Sequence, residues 1–384
     1  MSSSSKMARI AVIGGGLAAA RACAALRRRG YEGELVLISA EHHLPYDRPP
    51  LSKDVLAGKR DSTTLSFDPE ALSVQVRSGT TATGLDLKTR MVRTTAGDES
   101  FDGLVIATGA DPVRLPGAGE QLVLRTLDEA LALRSRLLSG ARVVIVGASW
   151  IGAEVATAAL AAGCQVTCLE AGPAPLAGAL GTEVGRALLP WWRDVDLRLN
   201  TAVAEVRPGE VCLVDGTTVP ADVVVTGVGV RPNTGWLAGS GLDLGRGVHV
   251  DEHLRASAPG VVAVGDVAAR WSPRFNTRIT SEHWDEAATA PAVAVASLLA
   301  DECGGELPVH DPVPYFWSDQ FGHKIQYVGH HGPDDRVEIE VDDADDPAPV
   351  VRWFDAEGHL TAWMGVDRPR EMVKARMAVG RPAN

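Results

Sequence analysis

The stretch RIAVIGGGLAAA, residues 9–20, decides the first part of the fold. Its β-branched run, Arg9–Ile13, predicts a buried strand, and the three glycines that follow predict a tight turn. Residues Leu17–Arg29 are rich in Ala, Leu and Arg and predict a helix that ends near Gly30. A second apolar run, Leu35–Ile38, predicts a parallel strand. This order is a βαβ unit, and the amides at the start of its helix suit a pyrophosphate.

The same order of elements returns in RVVIVGASWIGA, residues 142–153. We expect a strand at Arg142–Val146, a turn at Gly147–Gly152, a helix at Ala153–Ala162 and a strand at Val166–Leu169. The repeat predicts two nucleotide-binding modules in tandem. The alternative is that one module is retained only to hold its sheet together. Further apolar runs expected as strands are Leu104–Gly109, Val223–Gly229 and Val261–Asp266.

The first glycine motif has the form GxGxxA. Gly14 permits the tight turn, Gly16 lets a pyrophosphate approach the backbone, and Ala19 packs the helix on the strand. Glu41 follows the second strand of the unit, where a carboxylate accepts hydrogen bonds from ribose hydroxyls. The combination of strand, turn, helix and acid predicts a dinucleotide site.

The second motif keeps Gly147 and Gly152 but has Ser149 in place of the middle glycine. A Cβ at that position is expected to crowd the pyrophosphate and to weaken or displace the second nucleotide. Glu170 ends the following strand, where its charge favours a free 2′-hydroxyl over a 2′-phosphate. The motif therefore predicts NADH rather than NADPH.

Length and composition limit the class of protein. The chain has 384 residues, 45% of them hydrophobic and 22% charged, which predicts two or three folded domains. A net charge of −12 argues against nucleic acid or an anionic membrane as the main partner. The sequence contains no apolar run of membrane-spanning length, we expect no signal peptide in residues 1–9, and the five cysteines form no CxxC pair. We expect a cytoplasmic protein with reduced thiols, in which Cys164 and Cys168 are core residues, and no metal site.

The segment PYDRPPLSK, residues 45–53, narrows the assignment. It resembles a signature of the flavin-dependent ferredoxin reductases that serve oxygenases, a family that includes putidaredoxin reductase, rubredoxin reductases, the reductases of aromatic-ring dioxygenases and the apoptosis-inducing factors. The resemblance extends over nearly the whole chain, through IATGA (106–110), LRTLDEA (124–130), GVGVRPN (227–233), VAVGDVA (262–268) and FWSDQFGHKIQYVG (316–329).

The resemblance implies an α/β fold with two tandem Rossmann-like domains of the glutathione-reductase type and a C-terminal α+β domain. We expect an FAD-binding domain at 7–109 and 240–307, an NADH-binding domain at 110–239 and the C-terminal domain at 308–384. The residues expected to bind FAD are Gly14, Gly16, Ala19, Glu41, Arg48, Lys53, Ala107, Arg125, Asp266 and Trp284. Those expected to bind NADH are Gly147, Ser149, Ile151, Gly152, Glu170 and Gly229.

Four of the residues are expected to take part in electron transfer. The resemblance implies that Lys53 pairs with Glu154 beside the flavin, although a plain structural salt bridge is the alternative. Trp150 matches an aromatic residue between flavin and nicotinamide, and Trp317 matches one that faces the electron acceptor. Core packing is the alternative for both tryptophans.

The resemblance implies a reductase that takes electrons from NADH through FAD to a [2Fe-2S] ferredoxin serving a P450 or a Rieske oxygenase. The alternatives are a rubredoxin reductase or NADH oxidase, and a redox-sensing protein of the apoptosis-inducing-factor type. Residues 40–60 contain no cysteine, and Cys23 lies within the first predicted helix, so we expect no thiol relay. The expected state is a monomer or a homodimer.

The charge is unevenly distributed. Residues 334–346 carry eight acids and one arginine, which contribute −7 of the total −12. Two groups of cations are expected at the solvated surface, where they would steer an acidic ferredoxin if either lies near Trp317. These groups are Arg270, Arg274 and Arg278, and Arg368, Arg370, Lys374 and Arg376.

Overall fold

A computed structural model of the chain describes residues 7–303, 307–343 and 347–380. They divide into two compact units. The first unit falls within residues 1–47, 64–111 and 231–314, and the second within 48–63, 112–230 and 315–384. Among the described residues, no helix has both the length and the apolar character needed to cross a bilayer.

The helices and strands are numbered along the chain. The α-helices of the described residues are α1 (Leu17–Arg28), α2 (Leu127–Arg136), α3 (Trp150–Ala161), α4 (Ala177–Leu180), α5 (Thr182–Ala187), α6 (Trp284–Cys303) and α7 (Pro369–Ala378). The first thirteen strands are β1 (Arg9–Ile13), β2 (Glu34–Ile38), β3 (Gln75–Arg77), β4 (Ala82–Asp86), β5 (Met91–Thr94), β6 (Glu99–Ser100), β7 (Gly103–Ile106), β8 (Ala110–Pro112), β9 (Arg142–Val146), β10 (Gln165–Leu169), β11 (Asp196–Arg198), β12 (Val203–Arg207) and β13 (Glu210–Leu213). The others are β14 (Thr218–Pro220), β15 (Val223–Thr226), β16 (Val230–Pro232), β17 (Leu244–Gly245), β18 (Gly247–Val250), β19 (Val261–Ala263), β20 (Ala268–Ser272), β21 (Thr277–Thr280), β22 (Tyr315–Gln320), β23 (His323–Gly329), β24 (Arg336–Glu340), β25 (Val350–Phe354) and β26 (Leu360–Val366).

The first unit is built on a parallel sheet with strand order β19-β7-β1-β2-β3. Its central strand β1 is apolar and fully buried at Ile10, Ala11 and Val12, which alternate between the two faces, so the strand is covered on both. Helix α1 begins directly after the glycine turn and ends one residue before Arg29, and Gly30 follows with φ of +80°. The βαβ unit predicted from residues 9–38 is confirmed.

The second unit contains a parallel sheet with order β11-β10-β9-β15. The second predicted βαβ unit is therefore also confirmed, with one correction. Helix α3 begins at Trp150, three residues before the predicted start at Ala153. The physical reason is that the Ser149 side chain caps the helix, so the last part of the predicted turn is helical.

The C-terminal part of the second unit is an antiparallel sheet with order β22-β23-β26-β25-β24, accompanied by α7. This agrees with the expected C-terminal α+β domain. The domain boundaries themselves stay a prediction. Residues 344–346 of the acidic segment lie outside the described residues.

Candidate functional site

The carboxyl ends of three neighbouring strands meet at one edge of the first sheet. Strands β1, β7 and β19 are followed by Gly14, Ala107 and the turn containing Asp266. Gly14 has φ of +127°, and a Cβ there would lie 2.0 Å from the carbonyl oxygen of Ala107. Only glycine allows these two loops to approach so closely. Ala19, with no exposed surface, packs α1 against this edge.

Asp266 lies at the same edge, but not at the end of a strand as expected. Strand β19 ends at Ala263, and Asp266 is in a short 3-10 turn at Gly265–Val267. A Cβ added at Gly265 would lie 3.2 Å from the Cβ of Ala18, so the turn approaches the first residues of α1. Asp266 is partly exposed, whereas its immediate neighbours on both sides are buried.

Two carboxylates of this unit are held by aromatic side chains. The Tyr46 hydroxyl donates to Glu41 at 2.5 Å, and the Trp284 indole N–H donates to Asp47 at 2.7 Å. Neither Tyr46 nor Asp47 was among the expected site residues. Both belong to the PYDRPPLSK segment, which is the signal that could have found them.

His283 precedes Trp284 and is held neutral by its surroundings. Burial lowers its pKa to about 4, and this effect exceeds the opposing attraction of Asp266, Glu286 and Asp285. Its Nδ1 lies 3.0 Å from the Ser281 hydroxyl.

The corresponding edge of the second sheet carries the second glycine motif. A Cβ at Gly147 would lie 2.5 Å from the carbonyl oxygen of Gly227, so these two loops also need glycine at their contact. The Glu170 carboxylate accepts 2.7 Å hydrogen bonds from the amides of Ala148 and Gly172. Glu170, which is expected to accept a hydrogen bond from ribose, therefore also fixes the shape of the glycine turn. In the next loop the Gly229 carbonyl accepts from the Val113 amide at 2.9 Å.

The two glycine turns differ at the start of their helices. Gly16 precedes α1 and provides no side-chain cap, whereas Ser149 Oγ accepts from the Gly152 amide at 3.1 Å. In the second motif one amide of the first helical turn is thus already engaged by the serine. Ile151 lies between them in the same turn and is partly exposed.

Lys53 and Glu154 form the expected ion pair within the second unit. Lys53 Nζ lies 2.9 Å from both carboxylate oxygens, and Glu154 is only 5% exposed. Three further donors reach the carboxylate: the hydroxyls of Ser52 and Ser318 and the amide of Asp319. Sequence reasoning missed both serines, although Ser52 adjoins Lys53 and Ser318 adjoins Trp317.

Arg48 and Arg125 are neighbours in the second unit. The Arg48 guanidinium donates to the Arg125 carbonyl at 2.6 Å. Arg125 is followed by a capping box in which Thr126 accepts from the Glu129 amide and the Glu129 carboxylate accepts from the Thr126 amide. The start of α2 therefore fixes the backbone that Arg48 contacts.

Trp150 and Trp317 have different neighbours. Trp150 packs edge-on against Phe316, with ring centroids 4.8 Å apart. Trp317 stacks with Tyr315 at 5.9 Å, and the Lys324 ammonium lies 6.0 Å from the Trp317 ring centre. Both tryptophans are partly exposed.

The expectation of solvated cations is wrong for Arg270. This side chain is 1% exposed and forms ion pairs with Glu286 and Asp311, both at 3.3 Å. A buried arginine requires such partners, and the sequence did not reveal them. The exposed members of the two groups are Arg274, Arg278, Arg370 and Lys374. The partly buried members are Arg368, which pairs with Asp342, and Arg376, which lies over the Tyr315 ring.

The cysteines have the character of core residues. Cys23, Cys164, Cys168 and Cys212 are all buried. Burial raises the pKa of the Cys23 thiol to about 12, which keeps it protonated and unreactive. Cys164 and Cys168 are core residues as expected.

The two sheet edges that carry Gly14 and Gly147, here called the first and second glycine edges, have the residue types that bind dinucleotides. Each combines a close-approach glycine, the start of a helix and a carboxylate after the second strand. The first edge adds Asp266, and the second unit adds the Lys53–Glu154 pair, in which the carboxylate is buried and the lysine is partly exposed.

Comparisons with known proteins identify relatives along the chain. Residues 8–291 match the family model of the pyridine nucleotide-disulphide oxidoreductases, and residues 315–384 match the reductase C-terminal model. The ferredoxin–NAD(+) reductase component of the p-cumate 2,3-dioxygenase system of Pseudomonas putida is 35% identical, over 96% of this chain and 92% of that protein.

Two solved structures have the same fold over nearly the whole chain. One, described as Fdr9, is 59% identical with a TM-score of 0.95, and the match covers 98% of this chain and 96% of that one. The other is the covalent complex of putidaredoxin reductase with putidaredoxin, where the match is 29% identical with a TM-score of 0.89 and covers 96% and 92%. The resemblance drawn from the sequence motifs is confirmed.

Proposed function

The chain belongs to the pyridine nucleotide-disulphide oxidoreductase family, and we propose that it is an NADH-dependent flavoprotein reductase that passes electrons to an acidic [2Fe-2S] ferredoxin. The observation that carries the proposal is the presence of two dinucleotide-type edges in one chain, together with an ion pair between Lys53 and the buried Glu154 carboxylate. The ferredoxin would serve a Rieske oxygenase or a P450. Relatives named as ferredoxin reductase components of dioxygenase systems, and the putidaredoxin reductase relative, support this acceptor.

The positions of the cysteines argue against a disulphide relay, although the family is named for disulphide oxidoreductases. Residues 40–60 have no cysteine, and the thiol of Cys23 is buried with a raised pKa. We therefore propose that electrons pass through the flavin without a thiol relay. When bound, FAD supplies the ability to take up two electrons together and release them singly, which matches NADH to a one-electron acceptor.

The first glycine edge is proposed to hold FAD. The amides that follow Gly14 and Gly16 at the start of α1 would bind the pyrophosphate, and Glu41 and Asp266 would accept from hydroxyls of the bound cofactor. The hydrogen bond from Tyr46 holds the Glu41 carboxylate in one orientation. The other residues proposed to contact FAD are Ala19, Arg48, Lys53, Ala107, Arg125 and Trp284.

The second glycine edge is proposed to hold NADH. Glu170 is fixed by two backbone amides, and each of its oxygens keeps a further lone pair for a ribose hydroxyl. Its negative charge would repel the 2′-phosphate of NADPH. The other residues proposed to contact NADH are Gly147, Ser149, Ile151, Gly152 and Gly229.

Lys53, Glu154 and Trp150 are proposed to control how the nicotinamide meets the flavin. The Glu154 carboxylate accepts five donor contacts, and it holds Lys53 Nζ at one position. A fixed ammonium would orient the reacting rings by its charge. Trp150, partly exposed at the start of α3, would act as the gate for the nicotinamide ring.

The ferredoxin is proposed to approach Trp317. Lys324 lies over the Trp317 ring, and Arg376 lies over the neighbouring Tyr315 ring. These cations, with the exposed Arg370 and Lys374 of α7, would attract an acidic partner in a salt-dependent way. The cytoplasmic location and the monomeric or dimeric state stay predictions.

The test is NADH-driven cytochrome c reduction by the FAD-loaded protein, with and without a [2Fe-2S] ferredoxin. We expect turnover that depends on the ferredoxin and that is slower with NADPH than with NADH. Equal turnover without any ferredoxin would show that electrons reach cytochrome c without a ferredoxin, and it would overturn the proposed acceptor. Turnover with rubredoxin but with no [2Fe-2S] ferredoxin would replace the proposed acceptor.

A further inference from the structure

Strand β22 has two faces with different neighbours inside the second unit. Phe316 and Ser318, which lie on one face, contact Trp150 and Glu154 of helix α3. Trp317 lies on the other face and packs against Tyr315. The side chains on the first face therefore reach the proposed nicotinamide side of the molecule, although β22 belongs to the C-terminal sheet.

The hydrogen bonds of Ser318 give its hydroxyl a fixed direction. Its Oγ lies 2.5 Å from Glu154 Oε1 and accepts from the Gln320 side-chain amide at 3.1 Å. Because Gln320 occupies an acceptor position of the hydroxyl, the single Ser318 proton points to Glu154. Ser318 is 1% exposed, and Gln320 is 2% exposed, so water does not compete for these bonds.

Ser52 holds the other oxygen of the same carboxylate. Its hydroxyl donates to Glu154 Oε2, and its side chain is 6% exposed. The two serines thus hold the carboxylate from opposite oxygens, while Lys53 Nζ lies 2.9 Å from each. If either hydroxyl is lost, the carboxylate gains freedom to rotate, and the symmetrical contact with Lys53 is lost.

We propose that Ser318 is a positioning residue for the reduction of the flavin by NADH. It acts through Glu154, which it holds in the orientation that fixes Lys53 Nζ. Ser52 has the same role at the second oxygen. This inference rests on the proposed function of the Lys53–Glu154 pair, and it assigns part of that function to the first strand of the C-terminal sheet.

The first test measures Lys53 itself and does not depend on turnover. The FAD-loaded protein is treated briefly with an amine-reactive ester, and labelling of Lys53 is measured by peptide mass spectrometry relative to the exposed Lys59. In Ser318→Ala and Ser52→Ala we expect labelling of Lys53 to rise severalfold toward the value of Glu154→Gln. Ser318→Thr, which keeps the hydroxyl, should restore the wild-type value.

A matched control is Ser297→Ala. Ser297 is also fully buried, but its hydroxyl has no hydrogen-bond partner within the part of the chain that the structure describes. This variant controls for the removal of a buried serine oxygen and should leave Lys53 labelling unchanged. Wild-type labelling in both Ser318→Ala and Ser52→Ala would overturn the proposal.

The second test is anaerobic stopped-flow reduction by NADH. In Ser318→Ala we expect the limiting rate of flavin reduction to fall about tenfold, the lower end of the effect of losing a hydrogen bond to a charged group. The Kd for NADH should change little, because Ser318 contacts the pair and not the nucleotide. Raised labelling with an unchanged limiting rate would refute the positioning role. If wild-type protein is not reduced by NADH at all, the proposed function fails instead, whatever the labelling shows.

Discussion

The serine in the second glycine motif gives a prediction that separates two physical effects. Ser149→Ala removes the hydroxyl that caps Gly152 but keeps the Cβ, whereas Ser149→Gly removes both. Loss of the cap in the alanine variant should cost about 1 kcal/mol of unfolding free energy, and the glycine variant should lose only a few tenths. Thr126 is the N-cap of α2 and provides a matched control. The variants Thr126→Ala and Thr126→Gly remove a helix cap of the same kind outside the glycine motif, so they should show the same order of stability loss.

Nucleotide affinity should increase in these Ser149 variants, although their unfolding free energy decreases. Ser149→Gly relieves the crowding by the Cβ and frees the Gly152 amide, so the Kd should fall by up to about tenfold, which corresponds to one hydrogen bond. Ser149→Ala should tighten binding less, because its Cβ remains. The assay is titration of the oxidised, FAD-loaded protein with tetrahydro-NADH, an analogue that cannot transfer a hydride. A Ser149→Gly variant with the wild-type Kd would refute the crowding argument, and equal tightening in both variants would assign the obstacle to the hydroxyl.

Three further predictions concern charge. Arg270→Met should lower the unfolding free energy by about 3 kcal/mol, measured by urea denaturation, because it leaves Glu286 buried without its arginine. Burial lowers the pKa of His283 from its ordinary value of 6.5 to about 4, so its contribution to stability is complete above pH 6.5 and is lost as the pH falls toward 4. In His283→Asn the dependence of Tm on pH should therefore become flatter between pH 6.5 and 4. The same dependence as in the wild-type protein would contradict this. The double variant Arg370→Glu/Lys374→Glu should raise the KM for ferredoxin at low salt and weaken the dependence of that KM on salt. The reduction of ferricyanide by NADH, which needs no ferredoxin, should stay unchanged. A wild-type KM would show that these two cations do not steer the ferredoxin.

Local sequence determined the two βαβ units. The runs before Gly14 and Gly147 are short, apolar and β-branched, and each glycine turn leads directly into a helix, so adjacent residues carry the information. The exception was the start of α3. Serine is a common N-cap residue, so Ser149 is itself a local signal for a helix start. The signal was missed because Ser149 was interpreted only as a replacement for the middle glycine of the motif.

The candidate site was less accessible to sequence reasoning because its contacts join distant parts of the chain. The Lys53–Glu154 pair was expected from the family resemblance, not from spacing. Ser318 meets Glu154 across 164 positions and Ser52 meets it across 102, and no local pattern encodes such contacts. Arg270 was misjudged for the same reason, since its burial depends on partners brought by other elements.

The most direct measurement of the central claim is a two-step anaerobic experiment with the FAD-loaded protein. One equivalent of NADH should bleach the flavin absorbance, and subsequent mixing with an oxidised [2Fe-2S] ferredoxin should restore it while two ferredoxins are reduced for each NADH. Flavin that is reduced by NADH but never reoxidised by any [2Fe-2S] ferredoxin would contradict the account.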